Sequence, residues 1–157
     1  MQKITPFLWF DNQAEEAATF YTSIFPNSKL GKMTRYGEAG PGPAGTVLTA
    51  SFEIQGTEFT ALNGGPVYKF TEAVSFVVHC ETQAEVDHCW EKLTSDGGKE
   101  VQCGWLKDKF GLSWQIVPTV LPKLLGDPDV GKANRVMQAM LQMVKLDIAK
   151  LEAAAEG

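Results

Sequence analysis

The chain is short of the residues that hold metals and disulfides. Its three cysteines, Cys80, Cys89 and Cys103, are odd in number, none lies in a Cys-x-x-Cys pair, and His79 and His88 are the only histidines. A structural zinc site takes four ligands at short spacings, which this pattern does not supply. Reduced, mostly buried thiols are therefore expected. There is no block of like charge, and the formal net charge is −5. Without a concentrated basic surface, neither nucleic acid nor an anionic membrane is expected as a partner. No apolar run approaches the roughly 20 residues that span a bilayer. No basic-plus-apolar leader precedes the first strand, so cytoplasmic residence is the expectation.

What remains is an ordinary globular composition, 44% hydrophobic and 21% charged over 157 residues. That length suits one domain, or two small halves sharing a core. Lys3–Phe10 alternates as a strand, with Thr5, Phe7 and Trp9 on one face and Ile4, Leu8 and Phe10 on the other. Asp11 or Asn12 is expected to cap a helix whose stripe is Ala14, Ala17, Ala18, Tyr21, Ile24 and Phe25, stopped at Pro26-Asn27. Lys29–Tyr36 reads as a strand. The glycine- and proline-rich segment 37–45 reads as a connection. Thr46–Ile54 and Glu58–Asn63 read as a hairpin turning at Gln55-Gly56-Thr57.

The same order then recurs. Ala73–Cys80 is a strand carrying Ser75, Val77 and His79 on one face. Thr82 and Glu85 form a capping box for a helix with Val86, Cys89, Trp90 and Leu93 inward. Asp96-Gly97-Gly98 ends that helix, and a short strand is expected near Glu100–Gln102. Gln13-Ala14-Glu15 reappears as Gln83-Ala84-Glu85, an offset of 70 residues. A β-α-β-β-β unit therefore occurs twice, and two such units are expected to curl around a shared cleft. The fold class is α+β: one domain over 1–157, with modules at 1–66 and 72–118 and C-terminal helices over 119–157. In that last part, Thr119–Leu125 reads as a short helix and Asp129 onward as one long amphipathic helix. Its methionines suit either a partner subunit or the helix's own domain.

The stretch Cys103–Pro118 reads as two strands joined at Asp108-Lys109-Phe110-Gly111, with Gly111 at a positive φ. Leu112, Trp114 and Ile116 alternate with Ser113, Gln115 and Val117. A cleft walled by Phe7, Trp9, Phe59, Val77 and Trp105, with Asn63, Ser75, Ser113 and Gln115 as neutral hydrogen-bonding groups, would suit a small, flat, partly apolar ligand. The same residues would equally serve to fill a closed core. His79 is the candidate catalytic residue, as base or proton shuttle, against a plain structural role. His88 reads as solvated. Cys103 has no histidine near it in sequence to activate it.

The segments Phe7–Ala17, Leu62–Pro66, Glu72–Phe76, Cys80–Asp87, Cys103–Pro118 and Lys132–Leu141 together resemble the PhnB-like branch of the vicinal-oxygen-chelate superfamily. This superfamily includes glyoxalases, bleomycin-resistance proteins and dioxygenases, and the branch is labelled 3-demethylubiquinone-9 3-methyltransferase-like. The resemblance implies a paired βαβββ fold, a homodimer and a small-molecule ligand, aromatic or quinone-like. The superfamily's metal positions would fall near Thr5 or Pro6, at Ser75, near Ala61 or Leu62, and at Gln115. None is His or Glu, so no divalent metal is expected. Methyl transfer to a demethylubiquinone-like phenol is the alternative that the label implies. Yet residues 40–45 lack the strand-loop-helix frame of a methyl-donor site, and no S-adenosylmethionine is expected. A metal-dependent glyoxalase- or dioxygenase-type enzyme is the further alternative.

Overall fold

The computed structural model describes residues 2–157, which divide into two compact units, one ending at Phe70 and the other running from Thr71 to Gly157. The first unit contains β1 (Phe7–Phe10), α1 (Ala14–Ile24), β2 (Ser28–Arg35), β3 (Val47–Ile54) and β4 (Thr57–Asn63). Its sheet runs β1-β4-β3-β2, with β1 parallel to β4 and the remaining pairs antiparallel. The second unit repeats the plan with β5 (Ser75–Cys80), α2 (Gln83–Thr94), β6 (Lys99–Glu100), β7 (Trp105–Lys107) and β8 (Ser113–Pro118). Its order is β5-β8-β7-β6, again with the first and last strands parallel. The α+β class and the doubled βαβββ plan are thus observed.

Each helix covers one face of its own sheet. Ala14, Ala17, Ala18, Tyr21 and Ile24 of α1 are buried, as are Val86, Cys89, Trp90 and Leu93 of α2. Those residues recur at helical spacing, so burying them leaves the charged residues of each helix in water. Tyr21 meets Phe52, which stacks on Phe59 at 5.3 Å between centroids. Cys80 and Cys89 are buried and free. A hydrogen bond with Cys89, followed by burial, pushes the Cys80 thiol well above its ordinary range, which keeps it protonated and unreactive.

Four local expectations are corrected. The first strand begins at Phe7 rather than Lys3. Ahead of it the side-chain amide of Gln2 pairs with the backbone of Glu58 in both directions, taking the part a strand would play. Neither Asp11 nor Asn12 caps α1. Gln13 stands at the cap without a side-chain bond, and Asn63 at the end of β4 accepts from Ala14 N at 2.8 Å. The strand expected at Glu100–Gln102 is Lys99–Glu100. The expected long C-terminal helix is two helices, α4 (Val130–Leu141) and α5 (Ile148–Glu156), preceded by the short α3 (Val120–Leu125).

The break between α4 and α5 has a tertiary cause. Cys103 and Gly104 donate their backbone N–H groups to Met143 O and Val144 O, both at 2.8 Å. Gln83 donates to Leu146 O and accepts from Ile148 N, while Asp147 caps α5 by accepting from Lys150 N. The carbonyls that would have continued a helix are spent on the rest of the unit. Leu121, Val136, Leu146, Leu151 and Ala155 form the core of these helices, with Val117 of β8 packed against it.

Candidate functional site

Strand alternation leaves one face of each sheet uncovered by α1 or α2, and on the second sheet the C-terminal helices reach only its Val117 end. On the second sheet that face is built from β5, β8 and β7. Register aligns Ser75 with Ser113, Val77 with Gln115 and His79 with Val117. Antiparallel pairing of β7 then adds Lys107 beside Ser113 and Trp105 beside Gln115. The structure thus brings five of the expected ligand-binding residues, Ser75, Val77, Trp105, Ser113 and Gln115, onto one patch. Lys107 was not among the expected residues, although its parity with Trp105 along β7 would have found it.

The patch is neutral at its centre. Gln115 Nε2 donates to Ser75 Oγ at 3.0 Å, and Gln115 Oε1 has no hydrogen-bond partner among the described residues. Ser113 is 1% exposed, and its hydroxyl has no hydrogen-bond partner among the described residues. Lys107 is engaged by Glu72, whose carboxyl that hydrogen bond holds below its ordinary range. Val77 is half-exposed and Trp105 half-buried. His79 lies on the same face but one row beyond Gln115, and it is exposed.

One hairpin decides which residues this face presents. Asp108 is 3% exposed, and its Oδ1 accepts from Phe110 N and Leu112 N at 2.9 and 3.0 Å. Its Oδ2 accepts from Trp114 Nε1 at 2.9 Å. Gly111 closes the turn at φ +89°, donating to Asp108 O. With Trp114 tethered to the core side, Ser113 and Gln115 must face the other way.

In the first unit, the corresponding face carries Phe7, Trp9, Thr60, Leu62 and Thr49. Phe7 is exposed, while Trp9 is held by its Nε1 donating to Gly65 O at 2.9 Å and by an edge contact with Tyr68. Gly64 lies so close that a Cβ there would come within 2.3 Å of the Trp9 ring. Two expected wall residues lie elsewhere. Phe59 is on the helix-covered face, 8% exposed and stacked on Phe52. Asn63 spends its amide inside the protein, on Ala14 N and Val47 O. β-Alternation explains both, since Phe59, Ala61 and Asn63 are two residues apart along β4 and face the helix, while the partners of Asn63 follow only from the fold.

The residues present do not fit a divalent metal. Ser75 and Gln115 offer a hydroxyl and an amide already bonded to each other. Ala61 is fully buried on the helix-covered face. Among the described residues no three His, Cys, Asp or Glu side chains converge as a ligand set. Nor do the residues fit a methyl-donor loop, because segment 37–45 joins two antiparallel strands, β2 and β3, and opens no helix. Among the described residues no helix is long and apolar enough to cross a membrane.

A family model described as 3-demethylubiquinone-9 3-methyltransferase matches residues 2–117. The PhnB protein of Bacillus cereus, which carries the same methyltransferase description, is 42% identical, with a TM-score of 0.68 over 75% of this chain and 100% of its own. Protein PA1353 from Pseudomonas aeruginosa has a similar fold at 21% identity, with a TM-score of 0.61 over 75% of this chain and 98% of that one. The fosfomycin resistance protein FosX from Listeria monocytogenes, at 14% identity, covers 78% of this chain and 97% of its own with a TM-score of 0.53. No curated protein matches. Helices α3, α4 and α5 lie outside the family match.

Proposed function

The chain belongs to the PhnB-like 3-demethylubiquinone-9 3-methyltransferase family, with its glyoxalase/bleomycin resistance/dioxygenase fold, and from that premise we propose that it binds a small, neutral, partly apolar molecule, aromatic or quinone-like, on the open face of β5, β8 and β7. The observation that carries this reading is Ser113. A buried hydroxyl without a partner costs about 1–3 kcal/mol, and native proteins keep few of them. Ser113 Oγ, in the row between Ser75 and Lys107, and Gln115 Oε1, in the row between Val77 and Trp105, stand on one strand face with no hydrogen-bond partner among the described residues. A ligand hydroxyl would donate to Gln115 Oε1 while its ring lies on Val77 and Trp105, and its carbonyl would accept from Ser113 Oγ once the side chains over that buried hydroxyl give way.

This site works without a metal, because its inward groups are neutral and mutually bonded. It binds rather than transfers protons, because Lys107 is held by Glu72 and His79 is set a row away in solvent. The second reading, methyl transfer to a demethylubiquinone-like phenol, is favoured by the family's description. It would use His79 as the base.

Thermal stabilisation by short-chain ubiquinones, their demethyl analogues and aromatic drugs tests the proposal, since a ligand at 100 times its Kd stabilises by about 2.7 kcal/mol. Ser113→Ala removes an unpaired group, so the free protein should lose little stability while ligand affinity falls about tenfold. Gln115→Ala should lose a similar factor. Full affinity in both variants would remove this face from the reading. S-adenosylmethionine that binds and supports turnover, lost in His79→Ala, would favour the transferase instead.

A further inference from the structure

The first unit holds a concavity that the open sheet face does not use. It encloses about 550 Å³ where the parallel strands β1 and β4 end and α1 begins. That size lies within the roughly 300–1,000 Å³ of small-molecule sites. One wall is apolar, made by Tyr36, Pro41, Pro43 and Val47. This wall is built rather than draped. Tyr36 Oη donates to Asn63 O, and the loop over the ring is pinned by Tyr36 N to Thr46 O at 2.8 Å and Gly45 N to Tyr36 O at 2.9 Å. A Cβ at Gly42 would come within 2.5 Å of the ring, and one at Gly40 within 2.7 Å, so the loop packs directly on Tyr36.

Asp11 and Glu15 also line the cavity, and no Lys, Arg or His does. Neither carboxylate has an ion-pair partner among the described residues. An anion is disfavoured here although α1 begins at the site. The first free N–H of the helix, Ala14 N, is already taken by Asn63, and the two carboxylates would repel a negative ligand.

We propose that this cavity binds a small organic cation: an amine on a compact apolar body, with the ammonium at Asp11 and Glu15 and the body against Tyr36, Pro41, Pro43 and Val47. Nothing in the neutral site on the other unit requires it, so the two readings stand or fall separately.

The test is an amide-detected NMR titration of the full chain with benzylamine, benzyl alcohol and benzoate at pH 7. Benzylamine should shift the amides of Asn12, Gly42, Gly64 and Gly65 and bind about three- to tenfold more tightly than the alcohol, with benzoate weakest. That range follows from two exposed charge contacts of modest strength. Both carboxylates are exposed, so the double variant Asp11→Asn with Glu15→Gln should fold and abolish the preference for the amine. Equal binding of amine and alcohol, shifts confined to β5 and β8, or a preference that survives the double variant would each overturn the proposal.

Discussion

Removing the Asp108 carboxylate should cost more stability than any other single substitution in the β7–β8 hairpin. Three N–H groups converge on it, from Phe110, Leu112 and Trp114, all at 2.9–3.0 Å, on a side chain that is 3% exposed. Hydrogen bonds to a charged group contribute about 1.5–3 kcal/mol each, and leaving a buried donor unpaired costs about 1–3 kcal/mol. Bonds sharing one acceptor group are not additive, so Asp108→Ala is expected to lose about 4 kcal/mol. For a chain of this size each kcal/mol lowers Tm by about 2–4 °C, which gives a fall of about 8–16 °C. Asp108→Asn keeps an oxygen for Phe110 and Leu112 but turns an NH₂ group toward the indole N–H, and about half the loss is expected. Trp114→Phe removes that donor, so combining it with Asp108→Asn should cost about 1–2 kcal/mol less than the two changes added together. Urea unfolding followed by circular dichroism reads all four proteins. A loss under about 1 kcal/mol in Asp108→Ala, or strict additivity in the cycle, would show that the hairpin does not hang on this residue.

Two further outcomes concern the attachment of the C-terminal helices. Gly104 has φ +83°, and a Cβ there would sit 2.9 Å from Leu146 Cδ1 and 3.0 Å from Ile116 O. Gly104→Ala should therefore destabilise by about 2–3 kcal/mol through strain and overpacking, and undiminished urea resistance would contradict that. Asp87 takes Lys145 Nζ at 2.8 Å and Gln83 Nε2 at 3.0 Å, and these hold its carboxyl below the ordinary range. A lowered folded-state pKa gives stability that is complete above the unfolded value, near 3.9, and is lost as pH falls through the folded value. The protection factor of the Ile148 amide, whose N–H is held by Gln83, should fall as pH is lowered through that window in the native protein, and Asp87→Asn should show no such fall.

Where a structural cause lay within a few residues, the sequence exposed it. The Thr82 cap is present, its Oγ1 accepting from Glu85 N, although Glu85 reaches back to Glu81 N rather than to Thr82 itself. The stripes of α1 and α2 and the positive φ of Gly111 were readable from spacing and chemistry alone. Causes far apart in the chain were hidden. The cap of α1 comes from Asn63, 49 residues away, and local sequence favoured Asp11 and Asn12 because both are good capping residues. The long helix broke because Met143 and Val144 gave their carbonyls to Cys103 and Gly104, while the apolar spacing through Val144, Ile148 and Leu151 stayed helical. For the candidate site, alternation placed Ser75, Val77, Ser113 and Gln115 on one face. It could not show that Gln115 would bond to Ser75 while Ser113 stayed unpaired, since side-chain partners depend on register between strands.

The hairpin behaves as a reading frame. Single residues along β7 and β8 can be exchanged one at a time, each altering one contact with whatever lies on the sheet. A residue gained or lost between Lys107 and Ser113 would instead invert β8, carrying Trp114 and Ile116 outward and Ser113 and Gln115 inward. Asp108 and Gly111 fix the length of that interval, so diversification of this sheet face is channelled into substitution and closed to insertion. A turn at the end of the sheet thereby restricts which side chains that face can come to present.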